Sequence, residues 1–166
     1  MVPGLSRIAV FWDSAPGTAH LRAVQAVARS FSIQAQVLEV HTPADIEPAF
    51  SAFRPRPEAL VILPSPVLYY QSAKLGELAL KHQLPATAMF RLFSDSGGMV
   101  TYGPELTASV ERCAVLVAKI LGGANPRDLP VERPAKFELI VNSKTAKALG
   151  LRVPNAILVR ADEVIR

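Results

Sequence analysis

Between Arg7 and Phe90 the chain alternates short apolar runs with segments of helical period, and this alternation constrains its fold more than any other feature. Ile8–Trp12, Ala35–Val40, Ala59–Leu63 and Ala86–Phe90 read as strands. Leu21, Val24, Ala28 and Phe31 recur at helical spacing after the first strand. Thr42 and Pro43 suit the N-cap and first position of a second helix, with Ile46, Ala49, Phe50 and Phe53 as its buried stripe. Pro48 lacks a backbone donor and pushes the helix start later. A third helix is expected over Leu68–His82, with Leu75, Leu78 and Ala79 inward. Such alternation over about 85 residues specifies an α/β fold built on a parallel Rossmann-like sheet with right-handed crossovers. Ala59–Leu63 is apolar on both faces, as a central strand covered by helices must be.

The pattern changes after Gly97-Gly98. A short strand, Met99–Tyr102, is followed by Gly103-Pro104 and a long helix whose apolar face carries Leu106, Val110, Cys113, Ala114, Val117 and Leu121. Gly122-Gly123 ends that helix. A proline-rich stretch leads to an alternating strand, Phe137–Val141, then a short helix capped by Ser143 and closed by Gly150, then an amphipathic tail. The chain therefore divides into an α/β lobe over 1–103 and a return segment over 104–166.

Half of the 166 residues are hydrophobic, enough for a packed core. The formal charge of +4 is scattered along the chain, so nucleic-acid binding, which needs a clustered basic patch, is not expected. The single cysteine, Cys113, excludes an internal disulfide and reads as a small buried hydrophobe. No export signal or membrane span is legible, and as written the chain reads as cytoplasmic.

Parallel sheets bind ligands beyond the C-terminal ends of their strands. Asp13–Thr18, Pro64–Tyr70 and Arg91–Gly98 are therefore the places to look. The Asp13–Thr18 turn sits between a strand and a helix, where free N–H groups attract anions. It has neither the GxGxxG nor the P-loop spacing, so no cofactor is implied. His20, His41 and His82 lack metal-ligand spacing, and no nucleophile elbow is present. An enzyme reading finds no acid–base or nucleophile set.

Several phrases carry a family resemblance: RIAVFW at Arg7–Trp12, GGMVTYGP at Gly97–Pro104, AKILGGANP at Ala118–Pro126, LPVERPAKFELIVN at Leu129–Asn142, KTAKALGL at Lys144–Leu151 and RADEVI at Arg160–Ile165. Together they resemble the C-terminal half of ABC transporter substrate-binding proteins of the tryptophan/tyrosine type. The resemblance implies one lobe of a type I periplasmic-binding-protein fold and a periplasmic setting. It also implies an amino acid, or an aromatic or organic acid, held between two lobes, and an ABC permease as partner. Ser14 and Thr18 would meet an anionic group, Ser65 and Tyr69 would line the facing loop, and Tyr102 would sit at the hinge. Asp13 stands where the family commonly has asparagine, which places a negative charge beside the presumed anion site. The return segment would pack on a first lobe, supplied by a separate chain or replaced by a second copy in a domain-swapped homodimer. A non-transport interaction or sensory module that dimerises through this segment is the alternative reading.

Overall fold

The computed structural model describes residues 2–166. A seven-stranded sheet is its centre, in the order β2-β1-β3-β4-β5-β6-β7. These strands are β1 Arg7–Trp12, β2 Gln34–Glu39, β3 Ala59–Ile62, β4 Ala86–Ala88, β5 Val100–Pro104, β6 Phe137–Asn142 and β7 Glu163–Ile165. The first five run parallel, β6 is antiparallel to β5, and β7 is parallel to β6. The expected α/β architecture with a parallel sheet is thus present, extended by an antiparallel pair at one side.

Helices flank both faces. The helix α1, Ala19–Ser30, lays Leu21 and Ala28 on Ile8 and Val10 of β1. On the other face α2, Ile46–Ser51, and α4, Ser72–Lys81, close over Ala9, Phe11, Leu60 and Ile62. The Phe11 ring is fully buried, edge-on to Phe50 at 5.0 Å and stacked on Phe53 at 6.0 Å. Thr42 and Asp45 form a reciprocal capping box at the start of a 3-10 turn, Pro43–Asp45, that feeds α2. Pro48 then falls in the first turn of α2, where its missing N–H has no partner to lose.

The chain departs from the sequence reading in several places. The helix expected over Leu68–His82 is two: α3 Pro66–Tyr70 and α4, parted at Gln71. The Ser72 hydroxyl donates back to the Tyr69 carbonyl at 2.6 Å, and such back-bonding bends a helix. The short α5, Leu92–Asp95, follows β4. The long α6, Leu106–Leu121, carries its apolar face in solvent and has no buried residue; Cys113, expected inside, is exposed. Asn142, not Ser143, caps α7, Ser143–Ala148: its carboxamide oxygen accepts from the Thr145 N–H at 3.1 Å. The Ser143 hydroxyl instead donates to the Ile165 carbonyl. The tail forms a single turn, α8 Asn155–Leu158, and then β7, so β6 and β7 continue the sheet beyond β5. Met99, Val100, Val141, Ala146 and Val153 make the small core there.

One carboxylate fastens the start of β1. Glu58 accepts from the Ser6 and Arg7 N–H groups at 2.7 and 3.1 Å and pairs with the Arg7 guanidinium at 2.5 Å. The backbone N–H of Ser6, then that of Arg7, holds the Glu58 carboxyl below the usual carboxylate range. A lowered folded-state pKa stabilises the fold above the unfolded value, and that contribution is lost as pH falls through the lowered one. Glu58→Gln is therefore expected to lower the unfolding midpoint at neutral pH. The deficit should vanish in strong acid, as urea melts across pH will show; a deficit independent of pH would mean that the charge is not what matters.

Candidate functional site

The strand order sets where a ligand fits. The chain moves from β1 outward to β2, then returns past β1 to β3 and onward to β4 and β5. This reversal puts the switch point between the ends of β1 and β3, and open α/β sheets bind ligands in the crevice at such a point. The turn after β1 forms one wall and the loop after β3 forms the other.

Asp13 opens the first wall and is 5% exposed. Its Oδ1 accepts from the Ala15 N–H at 3.0 Å and lies 3.5 Å from His41 Nδ1. His41 Nε2 lies 3.1 Å from Glu39 Oε1. Asp45 accepts from the backbone N–H groups of His41 and Thr42 and from the Thr42 hydroxyl. Those contacts, with Thr42 first, hold its carboxyl below the usual range. Ser14 and Thr18 are exposed along the turn, and Thr18 makes no side-chain cap at α1.

On the second wall, Ser65 is buried and spends an oxygen lone pair on capping α3, accepting from the Leu68 N–H at 3.1 Å. Tyr69 stands edge-on to Tyr70 at 5.4 Å and to Phe90 at 5.6 Å. Ile62, Ser65, Leu68, Tyr69, Met89 and Phe90 line a narrow slot at the ends of β3 and β4. Tyr102 lies on neither loop. It lies on β5, 62% exposed, with its ring 5.9 Å from that of Phe137. The structure thus gathers Asp13, Ser14 and Thr18 on one wall and Ser65 and Tyr69 on the other.

Sequence alone gave two groups at this rim no role. His41 joins the β1 and β2 ends, which no local motif announces; the register pairing Trp12 with Glu39 brings them together. Arg91 bonds Asp95 at 3.1 Å and Glu163 at 2.7 Å and approaches Glu138 at 3.9 Å. The Glu163 bond is the chief reason its charge is further stabilised. Arg91 so ties the β4 end to β6 and β7. Among the described residues no group of histidine, cysteine and carboxylate side chains could hold a metal ion, and no helix is long and apolar enough to cross a membrane.

Solved structures share this fold, among them the following three. A conserved domain protein from Vibrio cholerae O1 biovar El Tor superposes with a TM-score of 0.91 at 21% identity, over 98% of this chain and 56% of its own. An ABC domain from Streptococcus pneumoniae, in complex with L-Trp, gives 0.89 at 17% identity, over 99% and 57%. The ligand-free, open form of a substrate-binding protein with adhesive properties from Clostridium difficile gives 0.72 at 17% identity, over 99% and 56%. The chain therefore spans little more than half the length of the structures it matches. No match was found among curated proteins. The family described as ABC transporter substrate binding protein matches residues 1–165. That family is one of receptors rather than enzymes, and nothing in these likenesses supports an interaction module that has left transport. By this match over nearly its whole length, the chain belongs to the ABC transporter substrate-binding protein family.

Proposed function

We propose that the crevice between the β1 and β3 ends receives a small organic solute, an amino acid or a molecule of that size, for delivery to an ABC permease. The observation that carries this reading is the placement, in a chain of this family, of a polar turn, Asp13–Thr18, at the β1 end and of an aromatic pair, Tyr69 and Phe90, after β3 and β4 on the other side of the switch point of the sheet. A polar anchor facing a rigid aromatic surface is how small-molecule sites combine orientation with affinity. The family resemblance also supports a periplasmic setting.

In this reading the lobe divides its tasks. The sheet through β7 carries the crevice wall. The helix α6 presents Leu106, Val110, Val117 and Leu121 to a facing lobe, whether from the rest of a longer chain, a separate chain or a second copy. A helix with this much apolar surface in water needs such a cover.

The test is a thermal-shift screen of the chain against amino acids, aromatic acids and small amines. A ligand of the native state raises the midpoint with concentration, by about 2.7 kcal/mol of stabilisation at a hundredfold excess over Kd. Tyr69→Ala should weaken the responding compound about tenfold, the equivalent of 1.4 kcal/mol. A panel without any response, or a response untouched by Tyr69→Ala, would remove the crevice from consideration.

A further inference from the structure

Parallel strands are normally covered on both faces, and here one face is left partly bare. On one side α2 and α4 close over β1 and β3. On the other, α1 covers β1, and the small core of Val100, Val141 and Ala146 covers β5 and β6. Between these two covers runs a groove of about 540 Å³. Its floor is Ala59, Val61 and Thr87, all half-buried; Val24 and Val27 of α1 form the near wall, and Val100 of β5 bounds the far side. None of the described residues lining it is charged. β1 and β5 lie three strand spacings apart, about 14 Å, and an α-helix with its side chains is about 10–12 Å across. The groove therefore has room for one helix.

The same chain carries a helix without a cover. No residue of α6 is buried, and Leu106, Val110, Cys113, Val117 and Leu121 follow one another along one side at helical spacing. No charged side chain interrupts this stripe. The 16 residues of α6 span about 24 Å, and the 12 residues of α1 that wall the groove span about 18 Å. Within one chain α6 is held off the groove: Lys136 grips Glu105 at 2.7 Å at its base beyond β5, and Arg112 clasps Glu132 farther along.

We propose that two copies of this chain associate about a two-fold axis, each laying the apolar stripe of α6 into the other's groove between α1 and β5. An isologous exchange of this kind covers both apolar surfaces of both copies in one step. A partner that takes only α6, or only the groove, leaves the other surface in water. The exchange buries four apolar faces, so the roughly 1,600 Å² of a standard interface asks only about 400 Å² of each. Depletion of charge on both surfaces matches the composition of an interface core. Asp13–Thr18 and Tyr69 line neither surface, so the inference is independent of the solute reading.

The test is sedimentation equilibrium of the purified chain. Twice the 17.9 kDa of one chain is expected, with a Kd of about 10 μM or tighter. Val110→Glu on α6 and Val27→Glu on the groove wall fall at positions 67% and 56% exposed in the single chain, so each should leave the fold intact. Each should weaken association at least about a hundredfold. An equimolar mixture of the two variants should associate at least about tenfold more tightly than either alone, because one of its two helix–groove contacts then joins two unaltered surfaces. Alkylation of Cys113, the single thiol, should slow as the parent dimer fills and stay fast in both variants. A parent chain still monomeric at about 100 μM overturns the inference. So does a dimer indifferent to Val27→Glu, which would mean that α6 packs against α6, or a pair of variants that fail to complement each other. The solute proposal is read separately, from ligand-dependent melting, and stands or falls on that panel alone.

Discussion

Gly103→Ala is expected to destabilise the lobe by about 3 kcal/mol, the upper part of the range for forcing atoms into a packed site. Gly103 lies in β5 opposite Glu138 of β6. A Cβ built there would stand 2.3 Å from the Met89 carbonyl oxygen and 2.5 Å from Met89 Cγ. The side chain could rotate away, but the carbonyl belongs to the backbone just after β4 and cannot move without carrying Phe90 with it. Relief requires parting the ends of two paired strands. For a chain of this size each kcal/mol lowers the melting midpoint by about 2–4 °C, so a fall of about 6–12 °C should appear in calorimetry. Since the displaced segment carries Met89 and Phe90, ligand affinity should fall as well. A variant melting within a degree of the parent would show that the β4 and β5 ends separate freely, against the close approach described above.

Phe93→Ala is expected to cost about 3–5 kcal/mol, the range for deleting a fully buried ring. Phe93 is 2% exposed and joins the main core beneath α4. It also floors the slot beside Tyr69, and Gly98 approaches its ring so closely that a Cβ at residue 98 would stand 2.2 Å from it. The loss should therefore appear twice: as a lower urea midpoint at unchanged slope, and as a slot deep enough to admit small apolar molecules. Indole should then restore part of the stability in proportion to its concentration. Loss of stability without rescue would mean that the core collapses into the space and that the slot has no independent shape.

Much of the lobe was legible in sequence because a parallel sheet covered on both faces announces itself through continuous apolar runs. β1 to β4 and α1 fall where those runs and the 3.6-residue period set them. Gln71 was not legible as a break, because the bend comes from one hydroxyl, Ser72, turning back on a carbonyl. β7 was missed because three residues carry no pattern of their own, and Glu163–Ile165 is a strand only through pairing with β6. For α6 the period identified the apolar face but could not say whether anything covers it, and Cys113 was misjudged with it. The positions of Asp13–Thr18 and Ser65 just beyond β1 and β3 were readable from strand-end logic. The contact of Asp13 with His41 was not, since it depends on the register of two strands, and neither was the use of Ser65 as a helix cap.

The path of residues 105–136 has a consequence of its own. They leave the sheet at Pro104 and return at Phe137, which face each other in the β5–β6 ladder, and Lys136 grips Glu105 across the base at 2.7 Å. Arg112 and Glu132 clasp again farther out. Topologically this is a hairpin with a helix in its loop. Closing such a loop costs an amount that grows only with the logarithm of its length. The excursion can thus lengthen, shorten or change its sequence without altering the register of the strands at its base. On the function proposed above, selection for a partner at α6 and selection for a ligand at the β1 and β3 ends would therefore act on separate parts of one chain, and either surface could be exchanged while the other is kept.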